Sequence, residues 1–69
     1  MTQKQVIEMM AQATHMLQRG LLTIYQCEQE MNDAILTGVL NMELSDDEKI
    51  TVARKLKRRM WRMLLDATK

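Results

Sequence analysis

Lys49, Arg54, Lys55, Lys57, Arg58, Arg59 and Arg62 follow one another with no acid among them. Set on a helix, cations at this spacing stack into rows. They can then neutralise phosphates, pair with carboxylates of a partner protein, or lie over an aromatic face. Trp61 stands inside the run, a helical turn from Lys57 and Arg58 and within reach of Arg54. Just upstream, Glu28, Glu30, Asp33, Glu43, Asp46, Asp47 and Glu48 come with no base among them. The net charge is only +1, so composition hides a strongly dipolar chain. Such a surface suits self-pairing, a charged protein partner or a nucleic-acid backbone.

The other reactive residue types are sparse. There is no glycine-rich phosphate loop, and Ser45, the sole serine, stands where it would cap a helix rather than beside a histidine. Cys27 and His15 are the only soft metal ligands, too few for a structural zinc site. The carboxylates from Glu43 to Glu48 lack the glycine turn and alternating ligands of a calcium loop, and helix capping accounts for them better. His15 is expected on a polar face near Lys4, Glu8 and Arg19. Cys27 is expected on an apolar face, as a buried and inert thiol. The expectation is a non-enzymatic protein with no metal and no cofactor.

The chain has 69 residues, room for one domain spanning 1–69. A core of that size contributes no more than about 3–5 kcal/mol, and one cysteine forms no internal disulfide. Self-association or docking onto a partner is the expected support. There is no proline, and the pattern predicts an all-α domain of three helices over about 3–19, 24–40 and 46–66. The first two should form an antiparallel hairpin, followed by a longer basic amphipathic third helix. Helix one places Val6, Met9, Met10, Ala13, Met16 and Leu17 on one face, with Thr2 as N-cap and Gly20 as the residue that ends it. Helix two places Ile24, Cys27, Met31, Ala34 and Ile35 inward, and Val39 if it continues that far. It opens on the capping box Thr23–Gln26, with Leu22 and Cys27 as a hydrophobic staple. Thr37-Gly38 is expected to fray or kink it. Ser45–Glu48 is the strongest start signal, a capping box whose acids also suit a helix N-terminus.

At about 100° per residue, helix three divides into three sectors. Val52, Ala53, Leu56, Met60, Met63, Leu64 and Ala67 form the core arc. Lys55, Arg58, Arg59 and Arg62 lie roughly opposite, beside Thr51 and Asp66. Between them runs a mixed stripe of Ile50, Arg54, Lys57, Trp61 and Leu65. A minimal helical domain needs no such stripe. Two readings of Trp61 stand open: the edge of the core, or the anchor of an interface, where Trp and Arg are enriched. The basic face is either a recognition surface, a solvated face, or the partner of Glu28, Glu30 and Asp33.

The segment Glu43-Leu44-Ser45-Asp46-Asp47-Glu48 resembles the start of a helix in the Hha-type small nucleoid co-regulators, which are of similar length. Helix three departs from that pattern by being far more basic, so no residue role is carried over.

Two functions follow as expectations. The first is a small regulator or adaptor that binds a partner protein through Trp61, Leu65, Ile50, Arg54, Lys57 and Arg58. Self-association is its nearest variant. The second is a nucleic-acid-binding regulator, with Lys55, Arg58, Arg59 and Arg62 on phosphates. Near-neutral charge and the acidic block place the protein partner first. No apolar run suits a membrane span or a signal peptide, and a free thiol fits a reducing compartment, so the cytoplasm is the expected location.

Overall fold

Each helix begins on a reciprocal capping box, and this sets the boundaries. The computed structural model describes all residues from Met1 to Lys69. Helix α1 spans Gln3–Gln18, α2 Ile24–Leu40 and α3 Asp46–Ala67, with no strand. At α1, the Gln5 amide donates to Thr2 Oγ1 at 3.2 Å and the Thr2 amide to Gln5 Oε1 at 2.8 Å. Thr23 and Gln26 repeat the exchange at α2, at 3.1 and 3.0 Å. At α3 the Ser45 hydroxyl also donates to Glu48 Oε1 at 2.8 Å. These bonds satisfy backbone donors that a helix leaves unpaired in its first turn.

Helix α1 ends as its sequence suggests. Gly20 has φ +76°, and its amide donates to Leu17 while that of Leu21 donates to Met16, which together form a Schellman closure. The chain then reverses. Val6, near the start of α1, packs against Gly38, near the end of α2, so the pair is antiparallel. Helix α2 runs unbroken through Thr37 and Gly38, contrary to the expected kink. Gly38 is buried because it lets α1 approach closely, and an approach between distant segments leaves no local signature. Asn41 closes α2, its side-chain amide donating to the Thr37 carbonyl at 2.7 Å.

Val6, Met10 and Ala13 of α1, Cys27, Met31, Ala34, Ile35 and Val39 of α2, and Leu56, Met60 and Leu64 of α3 form the core. Met42 of the α2–α3 connection joins them. Leu22 packs against this cluster, to which Cys27 belongs. Of the other expected core residues, Leu17, Val52, Ala53 and Met63 are half-buried against this cluster and Ala67 is half-buried at the end of α3, while Met9, Met16 and Ile24 are exposed. Met9 and Met16 flank the α1–α2 seam rather than filling it, near Leu22 and Ala34. Ile24 is the first residue of α2. No helix is long and apolar enough to cross a membrane.

Candidate functional site

The seam between α2 and α3 is open to solvent. Asn32, Leu36 and Leu40 of α2 face Ile50, Arg54, Lys57, Arg58 and Trp61 of α3 across a groove of about 680 Å³, with Ile35, Val39 and Ala53 as its floor. The later half of α2 and the first two thirds of α3 share this seam, and only residues 41–45 join the two helices. The groove exists because its apolar residues lie off the core arcs. Leu36 and Leu40 each follow a core residue by one position, about 100° round the helix. With α1 on the other side of the bundle, nothing covers them.

Trp61 is 47% exposed and lies on the groove wall, while Met60 and Leu64 fill the core beside it. The groove brings together Ile50, Arg54, Lys57 and Trp61 of the mixed stripe with Arg58 of the basic face. Leu65, 66% exposed, stands one turn beyond Trp61 and outside the groove lining. Leu36 and Leu40 are additions that the sequence reading missed. Their signal was available: two leucines at i, i+4, off the buried stripe of α2, mirroring Trp61 and Leu65 on α3.

The lining holds no carboxylate, imidazole, thiol or hydroxyl. It supplies apolar contact and cations, and every cation is on the α3 wall, since α2 carries no Lys or Arg. The other basic residues lie elsewhere. Lys55, Arg58, Arg59 and Arg62 border a second depression between α1 and α3, with Gln3, Ile7, Met63 and Asp66. Arg58 is common to both. The one ion pair in the chain joins Asp66 to Lys69 at 3.5 Å, at the exposed end of α3. Glu28, Glu30 and Asp33 therefore do not neutralise the basic helix.

Cys27 is fully buried, its thiol 3.8 Å from the Met31 sulfur. Burial raises the thiol above its ordinary value, with a smaller push from Glu30. His15 is exposed on α1. No group of His, Cys, Asp and Glu side chains is arranged to hold a metal ion. Protein-family models, curated proteins and solved structures, each compared with the chain, give no match.

Proposed function

We propose that this chain is a small non-enzymatic regulator or adaptor that acts by binding a partner protein, with the α2–α3 groove as the docking surface and Trp61 as its anchor. One observation carries the reading: Leu36, Leu40, Ile50 and Trp61 are all exposed and converge on a single seam edged by Arg54, Lys57 and Arg58. Isolated exposed apolar residues are ordinary, whereas a contiguous patch rimmed by polar groups marks an interaction site. A tryptophan among arginines is the composition of a binding hot spot. The buried free thiol of Cys27 suits a reducing cytoplasm, where we place the protein.

The test is a photo-crosslinking amino acid at Leu36 or Leu40, compared with the same group at His15 on the exposed face of α1. The expected result is a protein adduct from the groove positions alone. Adducts to nucleic acid, or equal labelling from all three positions, would overturn the proposal. A second reading has its own observation: Lys55, Arg58, Arg59 and Arg62 border one depression without an ion pair. That row suits phosphates, and Arg58→Glu with Arg62→Glu should then abolish oligonucleotide binding while helical content survives. Unchanged binding by that variant removes the phosphate reading.

A further inference from the structure

We infer that the α2–α3 groove takes one amphipathic helix of a partner protein, with that helix's acidic residues along the flank that meets α3. The inference rests on the protein-binding reading and specifies the occupant. Secondary structure follows from the lining. The groove is apolar, and Asn32 is its one side-chain amide. An extended segment laid there would leave backbone N–H and C=O groups without partners, and no sheet edge exists to pair with them. A helix satisfies its own backbone and offers an apolar stripe to such a groove.

Length follows from register. Ile50 and Trp61 are eleven positions apart on α3, about 16 Å at 1.5 Å per residue, so three turns of an incoming helix fill the groove. Measured along α3, a side chain at i beside Ile50 puts i+3 or i+4 beside Ala53 and Arg54, i+7 beside Lys57 and i+11 beside Trp61, with Leu36 and Leu40 on the facing wall. Leu65 offers contact to one further turn.

Charge sets the flank. Arg54, Lys57 and Arg58 edge the α3 wall, with no acid of this chain paired to them. The α2 wall has no base, and exposed Asp33 lies three positions before Leu36 on its outer side. Acids on the α3 flank gain three cations, while acids on the α2 flank gain none and face a carboxylate. A second copy of this chain is a poorer occupant. Its own acidic helix, α2, buries Cys27, Met31, Ala34, Ile35 and Val39 in the core and leaves Leu36 and Leu40, a single turn apart, against a groove three turns long.

The test uses the intact chain and three synthetic helical peptides that share one apolar stripe and differ on one flank, which carries Glu, Gln or Lys. Binding is read by calorimetry and by Trp61 emission. The Glu peptide should blue-shift Trp61 and bind about ten-fold tighter than the Gln peptide, with the margin shrinking as salt screens the rim. Arg54→Glu with Arg58→Glu should reverse the order, so that the Lys peptide binds best. Equal binding of all three peptides, with Trp61 shifted, would overturn the acidic-flank inference and leave the docking groove standing. No shift of Trp61 by any peptide would sink both. Trp61 burial that rises with protein concentration alone would assign the groove to a second copy and overturn the inference.

Discussion

A methyl group on Gly38 would run into Val6 Cγ2 and lie 3.1 Å from Met1 Sδ. Two effects oppose each other in Gly38→Ala. Alanine gains about 1 kcal/mol of helix propensity, while overpacking costs about 1–3 kcal/mol. Overpacking should win, because Val6 is fully buried and has no room to retreat. The expected outcome is a melting temperature lower by several degrees, read by circular dichroism, with the loss cancelled when Val6→Ala vacates the contact. A Gly38→Ala chain that melts higher than the parent would show that α1 and α2 can separate at no cost. Gly20 makes the contrast. A Cβ there meets nothing, so the conformation alone, φ +76°, requires glycine. That requirement is local and is readable from a glycine placed one residue past a helix. The Gly38 requirement depends on Val6 in another helix, and the linear pattern shows only a poor helix former.

Boundaries at the scale of elements were legible because capping is local chemistry. Ser45 and Glu48 exchange bonds within one turn, and Asp46, Asp47 and Glu48 add favourable charge at the positive end of the α3 dipole. Ser45→Ala removes the hydroxyl that accepts from the Glu48 amide and donates to Glu48 Oε1. The expected loss is about 1 kcal/mol, visible as a thermal shift of roughly 4–8 °C for a domain this small. A shift below the error of the melt would mean that packing alone fixes the start of α3. Which flank of an arc is covered was not legible in the same way. Met9 and Met16 belong to the apolar arc of α1, yet each helix of a three-helix bundle buries only the sector facing the other two. Leu36 and Leu40 fall outside the corresponding sector of α2. Helical periodicity gives the width of an apolar face, and only the bundle geometry decides where burial stops.

Across the whole molecule the segregation of charge works against folding. Arg58 has Arg54 and Lys55 in the preceding turn and Arg62 in the next, all like-charged neighbours on one helix, and none is relieved by an ion pair. Such pairs each destabilise a helix by about 0.2–0.5 kcal/mol. Arg58→Glu converts the three repulsions to attractions, so a gain of about 1 kcal/mol remains after solvent screening. The prediction is a variant that melts several degrees higher than the parent and binds its partner more weakly. Both halves matter. A surface kept at a cost in stability is one whose cations are needed for something outside the fold, and Arg58 borders the groove as well as the α1–α3 depression. If Arg58→Glu instead melts lower, the basic block contributes to the fold through the medium-range field of the acidic block. The charge segregation would then cease to argue for a partner.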